Sequence, residues 1–278
     1  MPELPEIEAH AERLTDLFGG AELEKFTALS FTALKTFSPD PAEAVGSALG
    51  TVGRRGKFLL MPFGEVTFVV HLMQGGRLVV DEKQSLKPRF GLARWRFADG
   101  RALLLTEAGK ERKAGIWVVS GDPVEQEPVD HLGVEADAVG RDELADLLAS
   151  KNMRLHGWLR DQHHLAGLGR MLANEICHRA KLSPFAMTAK LTPDEIDRLH
   201  VAIGACIRDA LGHERTLDAM SKSADRPGAV HRRKGQACPV CGDDIRAVEY
   251  SAYEVDYCPT CQTGGKILAD NTTSKFLK

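Results

Sequence analysis

The chain opens MPELPEIEAHAERL (Met1–Leu14), with two prolines and four glutamates crowded ahead of an apolar repeat. Chain ends are usually loose and tolerant of change, so so dense a terminus asks for a reason. Ile7, Ala11, Leu14 and Phe18 recur at helical spacing, and Gly19-Gly20 ends the run. The spacing predicts a helix from Pro5 onward, with Glu6 and Glu8 in a first turn that favours negative charge. That reading leaves Pro2-Glu3 unexplained. Methionine before proline is normally removed, which would make Pro2 the terminus and its nitrogen a secondary amine. With an ordinary α-amino pKa of about 8, an appreciable neutral, nucleophilic fraction exists near neutral pH.

Past the helix, short apolar runs follow: KFLLMPF, VTFVVHLM, RLVVD, ARWRF, RALLL and GIWVVS. Ala98-Asp99-Gly100 signals a hairpin, and Gly75-Gly76 bends the chain between runs. So many short strands imply a β-sandwich or barrel. SGDPVEQEPVDHLG, from Ser120, reads as the linker out of this first region, 1–133. The region 134–225 is helical. DELADLLAS is one helix, and LAGLGRMLANEICHRA is a glycine turn feeding a second. TPDEIDRLHVAIGACIRDALG is a third, capped by Thr192, Pro193 and Glu195 and ended by Gly212. The remainder, 226–278, has too few large apolar residues for a core of its own and needs a staple.

Four of the six cysteines supply one. CPVC (Cys238, Cys241) and CPTC (Cys258, Cys261) are separated by 16 residues, a spacing that fits one zinc ion held by four thiolates. A closed shell of this kind is structural. Cys177 and Cys206 fall in helical patterns and read as small buried hydrophobes. Hydrophobic content is 43%, charged content 27% and net charge −3, the profile of an ordinary globular chain. No apolar run approaches a membrane span and no signal peptide is evident, so a cytoplasmic protein is expected. The net charge does not advertise a polyanion partner, so any nucleic-acid site must be local.

Several stretches could supply one. HRRKG (His231–Gly235), with Arg232, Arg233 and Lys234, leads into the first cysteine knuckle and is basic. Gly167 and Gly169 precede a helix whose N-terminus could attract phosphate, although ordinary helix turns use glycine too. GRRGKFLL places Arg54, Arg55 and Lys57 at a strand start, where basic residues are usually just solvated. His71 reads either as a structural histidine or as part of a site. Met73, two residues on, is an apolar loop tip that could act as a wedge.

Taken together and in order, PELPE, RRGKFLL, HLMQG, GLGRMLANE, KLSPF, RKGQACPVCG and YCPTCQ resemble the formamidopyrimidine-DNA glycosylase/endonuclease VIII family of base-excision repair enzymes. The resemblance covers essentially the whole chain. It implies a multi-domain α+β fold: an N-terminal helix with a β-sandwich, a helix–two-turn–helix domain and a four-cysteine zinc finger. It also implies a monomeric, nucleoid-associated enzyme acting on double-stranded damaged DNA, with no membrane contact. By resemblance Pro2 is the nucleophile, Glu3 the general acid/base, Glu6 a pocket glutamate and Lys57 a phosphate contact near the lesion. Met73 fills the vacated base stack, and His71 lies beside it on the DNA side.

The chain departs from the family pattern at three positions that normally grip phosphate. Arg170 stands where asparagine follows the turn at Gly169, His156 where a lysine is usual, and Tyr253 where an arginine is usual. The arginine-x-phenylalanine wedge of the guanine-specific branch is replaced by EAGKERKAG, and HERTLDAMSKSADRPGAV is short for a loop capping 8-oxoguanine. Both imply a preference for oxidised pyrimidines or abasic sites. The departures leave open a second reading, a divergent binder of damaged or abasic DNA with weak or no glycosylase activity.

Overall fold

The structure, a computed structural model, describes residues 1–109, 112–222, 224–250 and 253–268. It divides into two compact units: Met1–Leu132 with Leu217–Ser223, and Gly133–Thr216 with Ala224–Lys278.

The first unit begins with helix α1 (Leu4–Phe18). Eight strands follow: β1 (Leu23–Ala28), β2 (Gly53–Arg55), β3 (Phe58–Phe63), β4 (Val66–His71), β5 (Gly76–Val80), β6 (Gly91–Phe97), β7 (Ala102–Glu107) and β8 (Gly115–Ser120). They form two four-stranded antiparallel sheets, ordered β1-β6-β7-β5 and β2-β3-β4-β8. Alternation decides which side chains face inward. Leu59, Met61 and Phe63 of β3 are buried, while Phe58, Leu60 and Pro62 between them are half-buried. Phe68 meets Trp95 edge-on at 5.6 Å, and Phe63 lies 6.3 Å from Phe97, so aromatic pairs join the two sheets. Ile7, Ala11, Leu14 and Phe18 of α1 join this core, with Phe18 stacked 4.9 Å from Phe97.

Two segments differ from expectation. Strand β1 carries a bulge where it pairs with β6 and shows no alternation, buried only at Leu23, so its sequence gives no strand signal. The stretch from Ser120 is more than a linker: Val129 is buried against Val69 and Val119 and covers the outer face of the second sheet. That is why β4 is buried at every position but its last.

The second unit contains β9 (Val134–Glu135), α2 (Arg141–Ser150), α3 (Leu155–Leu159), β10 (Leu165–Ala166), α4 (Arg170–Arg179) and α5 (Pro193–Arg215). The antiparallel pair β11 (Arg246–Glu249) and β12 (Glu254–Tyr257) and the short α6 (Pro259–Thr263) complete it. Gly169 caps α4, and Gly167 takes a φ of +100° that a side chain would resist. Thr192 Oγ1 accepts from the Glu195 N–H while the Glu195 carboxylate accepts from the Thr192 N–H, at 3.3 and 2.9 Å. Gly212 does not end α5. The helix runs on to Arg215, since a glycine inside a helix costs only about 1 kcal/mol, too little to end it. Cys177 and Cys206 are both buried; burial raises both thiols, Cys206 to about 11, which keeps them protonated and inert.

Gly76 opens the strand after the Met73 loop, and its amide donates to the Leu72 carbonyl at 2.8 Å. A Cβ on Gly76 would sit 2.2 Å from the Leu72 oxygen, whereas one on Gly53 would meet nothing within 4 Å. Gly76→Ala is therefore expected to lower the urea-unfolding free energy by about 1–3 kcal/mol, while Gly53→Ala leaves it unchanged or slightly raised.

Candidate active site and metal centre

The first unit holds the chain terminus in place. Glu3 is the N-cap of α1, which starts at Leu4, one residue earlier than the proline pattern suggests. The Glu6 carboxylate accepts from the Glu3 N–H at 2.5 Å. Pro2 is buried, and Glu3 and Glu6 are only 4% and 3% exposed. Carboxylates this deep need partners, and the helix N-terminus with its free amides is the favourable place for them.

Lys57 is brought up by a two-residue hairpin. Arg55 pairs with Phe58, and Gly56 between them has φ +55°, the geometry a tight β2–β3 turn demands of its first central residue. Lys57 is 8% exposed. His71, at the end of β4, lies 4.5 Å from the Phe58 ring, tilted 53° to it, and accepts from the Met73 N–H at 3.1 Å. Burial, then the charge of Lys57, then that of the chain's terminal amine push His71 down to about 4. Terminal amine, Lys57 and His71 thus share one neighbourhood, and His71 stays neutral within it. Met73 has φ +50°, a left-handed backbone that methionine rarely takes. The arginines before the hairpin are engaged: Arg54 pairs with Glu8 at 2.5 Å, and Arg55 donates to the Leu132 carbonyl at 2.7 Å.

In the second unit the three departures land close together. His156, on α3, is 3% exposed, and its Nε2 has no hydrogen-bond partner. Burial, with Arg160, His231 and Arg170 adding to it, drives His156 down to about 3. It therefore does not stand in as a charge for the lysine usual at this position. Arg170, the first residue of α4, lies over the Tyr253 ring at 5.8 Å. Of the HRRKG basic residues, Arg233 folds back onto Gln236 and the Gly228 and Ala229 carbonyls, and Lys234 pairs with Glu249. Arg232 is exposed; its φ of +59° is held by its N–H donating to Asp256 at 2.9 Å. The wholly buried Asp256 also accepts from Asn174 at 3.1 Å. Asn174 and Asp256 were not anticipated, since neither stands in a pattern that marks it apart from an ordinary helix or strand residue.

An imidazole held below its ordinary value takes up its proton more readily in the unfolded chain. Stability is then complete above pH 6.5 and falls as pH drops towards 4. His71, His156 and His10, the last pushed to about 4 by burial and then by Arg13, all act in this window. Each is expected to remove on the order of 2 kcal/mol at pH 5 relative to pH 7.5. Urea midpoints across this range check it, and His156→Gln should flatten the dependence.

The four cysteine sulfurs lie within 4.8 Å of one another, with Cys238–Cys261 at 3.9 Å and Cys241–Cys258 at 3.4 Å. A tetrahedral zinc with 2.3 Å bonds to sulfur separates its ligands by about 3.8 Å, so the quartet fits one structural zinc ion. His178 of α4 reaches the site from outside: its Nε2 is 3.3 Å from Cys238 Sγ, and both are buried. A donor to a ligating thiolate offsets the charge of a four-thiolate shell. His178→Ala should lose zinc to a chelator at least tenfold faster than the parent protein, read with a chromogenic zinc indicator.

Three family models match the chain in order. The formamidopyrimidine-DNA glycosylase N-terminal domain spans residues 1–117, the H2TH domain of the same enzyme 132–221, and the zinc finger found in FPG and IleRS 235–264. An uncharacterized formamidopyrimidine-DNA glycosylase-like protein of Mycobacterium tuberculosis is 44% identical over 151 residues, 53% of this chain and 94% of that protein. The formamidopyrimidine-DNA glycosylase of Chloroflexus aurantiacus is 30% identical, over 94% of this chain and 98% of that one. Among solved structures, Lactococcus lactis Fpg bound to DNA containing an abasic site shares the fold. Its TM-score is 0.83 at 22% identity, over 94% of this chain and 99% of that one. With all three domains present in order and a relative matched along nearly its full length, this chain belongs to the formamidopyrimidine-DNA glycosylase family, a family of DNA glycosylase/AP lyases.

Proposed function

We propose that the protein is a bifunctional glycosylase and AP lyase whose nucleophile is the Pro2 amine, freed when Met1 is removed. One observation carries the reading: the terminal amine, which here is that of Met1, directly before Pro2, lies near His71 together with Lys57, ahead of a helix whose N-cap Glu3 is bonded to Glu6. Once a damaged nucleotide is extruded, the Pro2 nitrogen attacks C1′, the bond from C1′ to the base breaks, and the base leaves with the proton that the nitrogen gives up. Glu3 gives a proton to the ring oxygen, the C1′–O4′ bond opens, and an iminium forms between Pro2 and C1′. The iminium draws electrons from the C2′–H bond. Loss of that proton expels the 3′ phosphate, and a second elimination can release the sugar. Lys57 would bind a phosphate beside the reacting sugar, and Met73 would occupy the gap left in the stack.

Oxidised pyrimidines and abasic sites are the favoured substrates, on the strength of the replaced wedge and the short stretch after α5. The EAGKERKAG stretch falls partly outside the described residues, at Lys110 and Glu111. Within it, Glu107 is buried and accepts from the Ala114 N–H at 2.7 Å, so the base of this loop is tied. A second reading, binding with weak excision, draws support from the neutral, buried His156 and from the engagement of Arg54, Arg55, Arg233 and Lys234.

Borohydride trapping on duplexes carrying an abasic site, 5-hydroxyuracil or 8-oxoguanine separates the two. The expected result is a covalent adduct on the first two, reduced at least a hundredfold in Pro2→Gly and in protein that retains Met1. Adduct on 8-oxoguanine equal to that on the others would overturn the substrate preference. Binding without any adduct, from protein verified to begin at Pro2, would favour the second reading.

A further inference from the structure

One connection in the first unit lies outside every motif that carries the family resemblance. It leads from β1 into the stretch 33–36, and at its tip is Phe31, 90% exposed. The Ala33 N–H donates to the Ser30 carbonyl at 3.1 Å, which closes a turn with Phe31 and Thr32 at its centre. The turn is tied on both sides. Before it, the Leu29 and Ser30 N–H groups both donate to the Leu92 carbonyl of β6, at 2.9 and 3.0 Å. After it, the Ala33 carbonyl accepts from the Ile116 N–H and the Lys35 N–H donates to the Ile116 carbonyl, each at 2.8 Å. The stretch therefore runs parallel to β8 along its free side. Ala33 is buried, and Leu34 packs against the core. The backbone around Phe31 is thus fixed while its ring stays in water.

A single exposed apolar residue is ordinary; Phe31 is set apart by its neighbours. β8 begins at Gly115, which lies opposite His71, the last residue of β4. Because 33–36 is parallel to β8, the residues just before it come out at the end where β8 starts and β4 stops. Adjacent strands are about 4.8 Å apart, so the turn lies two spacings, about 10 Å, from His71. Met73 belongs to the same end. Its loop joins β4 to β5, and a Cβ on Gly75 in that loop would sit 2.8 Å from the Ala108 carbonyl just past β7. Lys57 is there too, directly before Phe58, which pairs with His71. One end of the sandwich therefore gathers a lysine, a neutral imidazole, an apolar loop residue and a bare aromatic ring. Phe37 is the internal comparison. It is as bare, at 92% exposed, but it follows Thr36, whose hydroxyl accepts from the Val118 N–H inside β8, and so lies about 10 Å back from that end.

We propose that Phe31 is a base-stacking residue: its ring covers the face of a base close to the extruded nucleotide, to one side of the gap that Met73 would occupy. A separation of about 10 Å is about three nucleotide rises of roughly 3.4 Å, so the base it meets lies within about three nucleotides of the lesion. Extrusion leaves the bases next to and opposite the gap with an uncovered face, and an aromatic ring covers such a face whatever the base. Phenylalanine has no hydrogen-bonding group, so the contact adds hold without reading sequence. The inference rests on the proposed action on DNA and adds to it a contact with bases.

The test measures binding of the full-length, zinc-loaded protein, verified to begin at Pro2, to a duplex carrying a tetrahydrofuran abasic analogue, which has no C1′ hydroxyl and is not cleaved. Salt dependence and melting temperature are recorded in parallel. Phe31→Ala should weaken binding about tenfold. Melting and the slope of log affinity against log salt should not change, because a stack releases no counterions. Phe31→Trp should bind at least as well as the parent, and Phe37→Ala as the parent does. Single bases are then removed from the duplex, one at a time, within about three nucleotides of the analogue on either strand. At one position the parent and Phe31→Ala should bind alike, since the base that the ring covers is gone. Unchanged affinity in Phe31→Ala overturns the proposal. So does an equal loss in Phe37→Ala, a lower melting temperature, a shallower salt slope, or a difference between the two proteins that survives every base removal. If the unmodified protein binds, and is trapped on a natural abasic site, while Phe31→Ala binds as it does, the stacking role alone falls. If the unmodified protein binds no duplex, the functional reading falls with it.

Discussion

The burial of one apolar stripe on α1 is the constraint on which the rest depends. Ile7, Leu14 and Phe18 are almost completely buried, and each such side chain contributes about 1.5–3 kcal/mol. A chain end that would otherwise fray is anchored to the core. The hydrogen bond from the Glu3 N–H to Glu6 then sets the direction of the last residues before the helix. The position of the terminus thus follows from packing that reaches as far along the chain as Phe18.

The fold was largely legible because its signals were local. The α1 face, the cysteine quartet and the Thr192–Glu195 cap each depend on a few residues at fixed spacing, and each appears in the structure as read. Strand β1 was not legible, because its side chains alternate in neither hydrophobicity nor burial and its pairing with β6 is irregular. The covering of the second sheet by Val129 was missed for a related reason: one apolar residue among prolines and acids has no period. The end of α5 was misplaced because a single glycine, which costs a helix only about 1 kcal/mol, was read as a stop.

Charge was the least legible property. A basic residue in a sequence is only a candidate cation for a ligand until its partners are known. Arg54, Arg55, Arg233 and Lys234 looked alike in sequence, and the structure ties each to a carboxylate, a carbonyl or an amide of the protein itself. Arg154 and Arg160 attracted no attention, because they flank a short helix in an unremarkable run. They lie against tyrosines about a hundred residues away that only folding brings alongside. The same holds for His156, whose residue type suggests a switchable charge and whose burial removes it.

The first unit also bears on how the chain can be divided. Its contiguous part ends at Leu132, yet residues 217–223 belong to it as well. Arg13 of α1 donates to the Leu217 carbonyl, and Met220 packs against the sandwich core. Cutting the chain at the end of the β-rich region would leave α1 without that covering segment, on the very helix that fixes the terminus. The first unit is therefore not separable as a simple N-terminal fragment. A minimal version would need the 217–223 strap grafted back, for instance through a short linker after Leu132.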